Sequence, residues 1–354
     1  MKLEDIAKIA GVSKSAVSLA FNDKPGISSE TRERILKIAK DYGYTPKPRA
    51  SSDSSPSKAL TFLVITNSGI VLEEYYQQPF FRELIQYIEE RCRAKGYSMM
   101  FSSLDMGAFE RDVRLIADDP RSDGLILLGT NLSPEHISYI ASHQRNLVVL
   151  DTSFDTLPVH FVEINNFMGA YQAGKHLYEI GHRQIGYISS NVRIHNFDER
   201  RRGFSAALEE RGIQVTEPHL LSVAPTILSS QESLRKQLEQ FLAKGGSLPT
   251  ALFCECDYIA ISAMKTLAEL GFSIPGDISV VGFDNITESV IVSPELTTIH
   301  VEKERMAHLA VDLLIGSIHD AKEVRTKIKV DTRIVLRHSS AAPQAESLRA
   351  NSTV

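Results

Sequence analysis

The stretch that decides the fold of the amino-terminal region is EDIAKIAGVSKSAVSLAFN, residues 4–22. Gly11 can adopt the positive backbone angle of a sharp turn, and Ser13 can cap a second helix by accepting a hydrogen bond from its free amides. Two short helices joined by such a turn form a helix-turn-helix, whose second helix enters the major groove of DNA. Two sets of apolar residues recur at helical spacing: Ile6, Ala7 and Ala10, then Val17, Ala20 and Phe21.

A third helix should complete this all-α head. Ser28 is its expected N-cap, Glu30 lies in its first turn, and Ile35, Ile38 and Ala39 form its apolar stripe. The helix should end near Tyr42, before Pro46. The sequence therefore predicts a DNA-binding domain over residues 1–46.

Charge separates this head from the rest of the chain. Residues 1–49 contain ten Lys or Arg and six Asp or Glu, a net charge of +4. Because the whole chain carries −5, the remainder carries −9. A basic head on an acidic body is consistent with binding to phosphate, although the helical pattern is the stronger indication.

Composition indicates a multidomain globular protein of the cytoplasm. A length of 354 residues predicts two or three domains. We find neither an apolar run long enough for a membrane helix nor the apolar core of a signal peptide. The three cysteines are too few for a disulfide framework, and neither a metal site nor a cofactor is expected.

Two segments are predicted to have little order. Residues 47–58 are rich in Ser and Pro and should form a flexible linker. Residues 339–354 are rich in Ser and Ala and show no periodicity, so a disordered tail is expected there.

Between them, residues 59–338 alternate short apolar runs with amphipathic helices, and the pattern restarts after about residue 160. This indicates two α/β lobes with parallel sheets and helices on both faces, and ligands of such folds bind beyond the carboxyl ends of the strands. The expected strands are 60–65, 97–101, 124–128, 147–150, 184–188, 219–223, 251–254, 278–283 and 332–336, and the expected helices are 81–95, 134–143, 167–180, 201–211, 230–243, 258–270 and 302–318.

Over about residues 2–337 the chain resembles the lactose-repressor (LacI/GalR) family of bacterial transcription regulators. This resemblance implies a periplasmic-binding-protein-like body and a homodimer that binds operator double-stranded DNA under the control of a small molecule, usually a sugar. The matching pieces are Ile6–Ala7, Ala10–Ser13, Val17–Ser18, Asn22, Ser28, Thr31–Arg32, Arg34, Gly43–Pro46, Pro79–Phe81, Gly181–Arg183, Arg200–Phe204, Ile274–Pro275, Ser279–Asp284 and Leu296–Ile299.

The head departs from the family pattern at Ala16 and Leu19, where a Thr and an Arg are usual. Loss of that Arg removes a bidentate guanine contact worth about 1–3 kcal/mol. Lys14, Ser15 and Ser18 are expected in the groove; the alternatives are a phosphate contact for Lys14 and helix capping or simple solvation for Ser18. The expected DNA-binding residues are Ser13, Lys14, Ser15, Ser18, Asn22 and Thr31.

The linker departs further. The family places an Asn, an Ala-Arg pair and a Leu in short helices whose Leu wedges into the minor groove. Here Lys47 and Asp53 stand at the Asn and the Leu, Pro48 lies inside the helix, and only Ala50 is retained. We expect weak hinge-helix wedging and little DNA bending.

The resemblance also places an effector site. Arg200 and Asp284 match the residues that grip a sugar-like ligand from opposite sides, although a salt bridge is the alternative for Arg200. Asp257 is expected to cap a helix, and Tyr75 or Tyr76 to offer a stacking platform. Phe197 is expected either to face the ligand or to lie in the core. The expected effector-binding residues are Phe80, Phe197, Arg200, Cys256 and Asp284; Cys256 replaces a family Asn, so one polar ligand contact is lost.

Three other classes fit less well. An exported sugar-binding protein would share the body but would lack the DNA-binding head. A Rossmann dehydrogenase needs a Gly-x-Gly-x-x-Gly turn after an early strand, and residues 63–70 contain only Gly69. A sugar hydrolase needs paired carboxylates on a different scaffold. The sequence therefore predicts a regulator and not an enzyme.

Overall fold

The computed structural model describes residues 3–21, 26–42, 58–69, 75–216, 219–319 and 324–344. They divide into two compact units, residues 1–57 and 58–354. The linker of residues 47–57 and Asn22 lie outside the described residues. No helix of the described segments is long and apolar enough to cross a membrane.

The first unit contains three helices, α1 (Leu3–Ala10), α2 (Lys14–Phe21) and α3 (Ser29–Asp41). They pack around a small core centred on Ile6, Val17 and Ile35, which are fully buried. Gly11 has φ 64° in the turn between α1 and α2.

Both predicted caps of this unit are confirmed. The hydroxyl of Ser13 accepts a hydrogen bond from the Ala16 amide (3.1 Å), and that of Ser28 accepts one from the Thr31 amide (3.2 Å). These bonds satisfy amides that the first turns of α2 and α3 leave free.

The second unit has two lobes, each built on a six-stranded sheet. The first sheet has the order β11-β5-β4-β3-β1-β2 and is parallel throughout, and the second has the order β12-β10-β9-β8-β6-β7. In the second sheet only β12 is antiparallel to its neighbour, β10. The strands are β1 (Ala59–Thr66), β2 (Ser98–Asp105), β3 (Gly124–Leu128), β4 (Leu147–Leu150), β5 (His160–Ile164), β6 (Ile185–Ser190), β7 (Leu220–Val223), β8 (Ala251–Cys254), β9 (Ser279–Asp284), β10 (Thr297–His300), β11 (Lys327–Val330) and β12 (Arg333–Val335).

Helices cover both faces of each sheet, as the alternation of strands and helices predicts. The helices are α4 (Pro79–Ala94), α5 (Phe109–Ala117), α6 (Pro134–His143), α7 (Asn166–Glu179), α8 (His195–Glu209), α9 (Ile227–Ala243), α10 (Asp257–Glu269) and α11 (Lys303–His319).

The lobes are not simply successive halves of the chain. After β10 in the second sheet, α11 packs against α4 and β3–β5 of the first lobe, and β11 adds to the edge of the first sheet. The chain then returns to the second sheet in β12, so it crosses between the lobes three times. No distinct sequence pattern marks α5, β5, β10 or β11, because these segments are short or interrupted by charged residues.

Helix α8 begins at His195, six residues before the predicted start of the helix. A glycine fixes its close packing on α7, because a Cβ atom at Gly203 would lie 2.0 Å from the carbonyl oxygen of Phe167. The longer helix brings Phe197 and Arg200 into its first turns, where they face the space between the lobes.

The prediction of a disordered tail is wrong for its first residues. Ser339 is fully buried, its carbonyl accepts a hydrogen bond from the Val280 amide (2.7 Å), and its hydroxyl accepts one from the Thr297 amide (2.8 Å). The Ala341 carbonyl accepts a hydrogen bond from the buried His182 ring (2.9 Å). Ser and Ala fit this site because their small side chains let the chain lie close to β9; residues 345–354 lie outside the described part.

Candidate functional site

A cavity lies between the two lobes, at the carboxyl ends of strands from both sheets, and its empty space, including open solvent, is about 420 Å³. Such edges collect the functional side chains of open α/β folds. Residues from both lobes line it: Gln78, Phe80, Phe81, Thr130, Asp151, Ile194, Asn196, Phe197, Arg200, Pro225, Cys256, Tyr258 and Asp284. All five residues predicted to bind the effector are among them.

Arg200 and Asp284 do not stand on opposite sides of the cavity, as the resemblance implies. Both belong to the second lobe, and Nη2 of Arg200 donates a 2.9 Å hydrogen bond to Oδ1 of Asp284. Nε and Nη1 donate to the Asn166 side chain (2.9 Å) and the Glu255 carbonyl (2.6 Å). The guanidinium also lies 3.7 Å from the centre of the Phe283 ring. Most of the hydrogen-bonding capacity of Arg200 is therefore used by the protein itself.

Asp151 is a cavity residue that the sequence analysis missed. It follows β4 directly, as Asp284 ends β9, and that position after a buried strand was the available signal. Its carboxylate accepts hydrogen bonds from the Thr130 hydroxyl (2.6 Å) and the Asn196 amide (2.9 Å). Burial raises the pKa of Asp151 to about 6.

The backbone at both cavity carboxylates is strained. Asp151 has φ 65° and Asp284 has φ 116°, in the region that side chains other than glycine rarely adopt. Such conformations persist only where surrounding bonds hold them, and they concentrate at functional sites.

The aromatic lining comes from α4, α8 and α10. Phe80 and Phe197 are both buried, and the backbone amide of Phe80 donates a long hydrogen bond to the Tyr258 hydroxyl across the cleft (3.4 Å). Tyr75 and Tyr76 are not stacking platforms of the cavity. Tyr75 packs on Phe101 outside it, and Tyr76 is exposed.

Burial favours the neutral forms of Cys256, which lines the cavity, and of its neighbour Asp257. Burial raises the pKa of the Cys256 thiol far above its usual value. Asp257 does not cap α10. Its carboxyl instead accepts hydrogen bonds from the Thr298 hydroxyl (2.6 Å) and the Ile286 amide (3.0 Å), and burial raises its pKa to about 8. The described residues contain no cluster of His, Cys, Asp or Glu suited to a metal ion.

Three further contacts join the lobes around the cavity. Nε2 of His195 in the second lobe lies 3.1 Å from Oε2 of Glu163 in the first lobe. Glu83 on α4 accepts a hydrogen bond from Thr287 (3.0 Å), and the ammonium group of Lys303 on α11 donates a long one to the Asp284 carbonyl (3.4 Å). These contacts hold the cleft nearly closed.

In the first unit, the predicted DNA-binding side chains differ in exposure. Lys14 and Ser15 are exposed at the start of α2, whereas Ser18 is half-buried. The hydroxyl of Thr31 lies 2.8 Å from that of Ser28, next to the cap of α3. Leu19 is half-buried, and its side chain turns toward Gly26, where an added Cβ would lie 3.2 Å from Cδ1 of Leu19.

Two family models match the chain. Residues 2–47 match the bacterial regulatory proteins of the lacI family, and residues 175–340 match a periplasmic binding protein-like domain. The chain is 31% identical over 343 residues to the HTH-type transcriptional repressor PurR of Erwinia tasmaniensis, covering 96% of each chain.

Solved structures share the fold. The complex of the transcriptional regulator CelR with cellobiose superimposes with a TM-score of 0.69 at 22% identity, over 96% of this chain and 100% of that one. The lac repressor dimer bound to operator and the anti-inducer ONPF gives a TM-score of 0.68 at 24% identity, over 97% and 99%.

Proposed function

Because this chain belongs to the lacI family of bacterial regulatory proteins, we propose that it is a transcriptional repressor whose affinity for operator DNA is controlled by a small molecule bound between the lobes. One observation carries the proposal. The same chain contains a helix-turn-helix unit whose second helix begins with the exposed Lys14, and a two-lobed unit with a cavity lined by both lobes.

In the head, Lys14 and Ser15 are the side chains that we assign to base edges. They are exposed at the amino end of α2, the part of a recognition helix that faces the bases. Ser13 and Thr31 each contribute to a helix start, where hydroxyls and free amides suit contact with phosphate. Ser18 and Asn22 remain assigned to DNA contact on the sequence alone.

The cavity supports control by a ligand because both lobes contribute to its lining. A ligand that binds there with different affinity in the open and closed states shifts the balance between them. The first lobe begins with β1 at Ala59, directly after the linker of residues 47–58, so its rotation moves the point to which the head is attached.

A homodimer completes the mechanism. Two heads must match half-sites separated by about one helical turn of DNA, or a multiple of it, so a small change in their separation changes operator affinity. The family resemblance offers a carbohydrate as one candidate ligand, and in this proposal the ligand contacts Phe80, Phe197, Arg200, Cys256 and Asp284. The protein would act in the cytoplasm, where it has access to the operator, and would have no catalytic activity.

Fluorescence anisotropy with labelled DNA tests the proposal. The full-length protein should bind a fragment from its own or a neighbouring promoter at least tenfold more tightly than random duplex of equal length at moderate ionic strength. A candidate effector, either a sugar or a ring-sized amine, should then change the Kd for the promoter fragment but not that for random duplex. Equal affinity for all fragments would contradict the proposed function.

A further inference from the structure

The carboxylate of Asp151 is buried without a cation beside it. Its carboxylate accepts hydrogen bonds from Thr130 and Asn196, which are both neutral. Within the described segments, no Lys, Arg or His side chain lies within ion-pair distance of it. A buried ionised carboxylate without a counter-charge is costly.

The cations nearby are already paired. Arg200 is bound to Asp284 at 2.9 Å, Lys303 to Glu83 at 3.2 Å and Arg193 to Glu255 at 2.9 Å. The charge of Arg200 still acts on Asp151 from a distance, but desolvation outweighs it and raises the pKa of Asp151 to about 6. At neutral pH the cavity therefore contains an ionised carboxylate with no direct counter-ion.

Apolar atoms make up most of the exposed surface of the cavity, because Asn196, Arg200 and Asp284 are bonded within the protein. Its apolar lining is Phe80, Phe81, Ile194, Phe197, Pro225 and Tyr258. A free hexose carries hydroxyls around its whole ring, and a wall of this kind leaves most of them without partners, which costs binding energy. A ring-sized apolar body with few polar groups fits the lining better.

Asp151 also has capacity for a further donor. A carboxylate offers about four lone-pair sites, and Thr130 and Asn196 occupy two of them. An ammonium group would supply both the missing positive charge and a strong, charge-assisted hydrogen bond.

We propose that the effector is a protonated amine on a ring-sized apolar body, with its ammonium group bound to Asp151. This inference rests on the proposed function, because it names the ligand class of the same cleft. The aromatic lining then holds the ring, and the ammonium group, bound to Asp151 of the first lobe, lies beside the bond between that lobe and Asn196.

Matched probe pairs test the ligand class. Binding to the full-length protein is measured by calorimetry at pH 7.5 for benzylamine against benzyl alcohol and for cyclohexylamine against cyclohexanol. Each amine should bind at least tenfold more tightly than its alcohol. Asp151→Asn should abolish this preference, whereas Asp155→Asn, an exposed aspartate of the following loop, should retain it.

A pH titration of the unaltered protein gives a second test that does not depend on a variant folding. Both amines stay protonated between pH 7.5 and 5, so weaker amine binding at pH 5, with unchanged alcohol binding, would report protonation of the carboxylate. The inference is overturned if an alcohol binds as tightly as its amine, if neither amine binds, or if Asp151→Asn keeps the preference.

Operator binding measured on the same preparation separates the two proposals. Loss of promoter preference with the amine preference intact would contradict the proposed function and leave the ligand class standing. Promoter preference without any amine preference would contradict the ligand class alone.

Discussion

The side-chain amide of Asn196 donates a 2.9 Å hydrogen bond to Oδ1 of Asp151, and this bond joins the two lobes across the cavity. The bond is the first of a buried series. Asn196 accepts from Asn166 (3.1 Å), Asn166 accepts from Arg200 (2.9 Å), and Arg200 donates to Asp284 (2.9 Å). This polar network links the first lobe to the Arg200–Asp284 pair of the second lobe.

Asn196→Ala should destabilise the protein and weaken cleft closure, because it removes one donor from a buried carboxylate and one acceptor from Asn166. We expect a loss of about 1–3 kcal/mol in unfolding free energy, measured by urea denaturation. Asn146→Ala is the matched control, since Asn146 donates an exposed bond to the Asp123 carbonyl (2.9 Å) and should cost less. Equal losses of unfolding free energy in the two variants would show that the bond between the lobes stabilises the protein no more than an exposed bond does.

Removing one partner of the buried pair should cost more than removing both charges together. Arg200→Leu or Asp284→Asn alone should lower the unfolding free energy by about 3–5 kcal/mol, because each leaves a buried charge uncompensated. The double variant should lose less than the sum of the two. Arg202→Ala, which breaks an exposed pair with Glu199, is the control and should cost about 0–1 kcal/mol. Strict additivity in the double-mutant cycle would argue against a coupled pair.

Asp257→Asn should change how stability depends on pH. Burial raises the pKa of Asp257 to about 8 in the folded protein, while the unfolded chain titrates near 3.8. Between those values only the folded state holds the proton, so stability falls as pH rises and levels off above pH 8. An Asn can donate to Thr298 and accept from Ile286, so the fold should survive.

The difference in unfolding free energy between Asp257→Asn and the unaltered protein should therefore grow by about 1.4 kcal/mol per pH unit between pH 5 and 8. Denaturation at several pH values measures it. Asp277→Asn is the control, because Asp277 is exposed and its pKa is lowered, so its effect should be constant over this range. A constant difference for Asp257→Asn as well would contradict the assignment.

Replacing Lys14 in α2 distinguishes a contact with a base edge from a contact with phosphate. If Lys14 reads a base, Lys14→Ala should weaken binding to the operator by about 1–3 kcal/mol and leave random duplex unaffected. If it contacts phosphate, binding to all duplexes should weaken and the slope of log K against log salt should fall by about 1.

Leu19→Arg should create a preference for guanine at one operator position, visible by anisotropy with single-base operator variants.

The linker should bend the operator little. Asp53 stands where the family has the Leu that wedges between base pairs. A carboxylate inserted there would be repelled by the nearby phosphates. Gel shifts of circularly permuted operator fragments should show nearly equal mobility. Asp53→Leu should increase the bend, and strong bending by the unaltered protein at the operator centre would refute this expectation.

Local patterns were sufficient to predict the head. Each pattern joins residues within a few positions of one another. This holds for the helical spacing around Ile6, Val17 and Ile35 and for the caps at Ser13 and Ser28, so helix propensity and packing agree. The buried strands were also predictable wherever four or more apolar residues follow one another, as in β3 and β4. Edge strands such as β11 were not, because four residues of alternating Lys and apolar side chains are too few to distinguish a strand from a loop.

By itself the sequence determined the class of the protein: a helix-turn-helix head, a linker, and an α/β body of two lobes whose cavity residues follow buried strands. Only the tertiary structure decided how the cavity is arranged. It joined Arg200 to Asp284, placed Asp151 opposite them without a counter-ion, and returned α11 and β11 to the first lobe. These relations connect residues more than 30 positions apart in the chain, and they depend on which side chains burial brings together, which neither periodicity nor local propensity specifies.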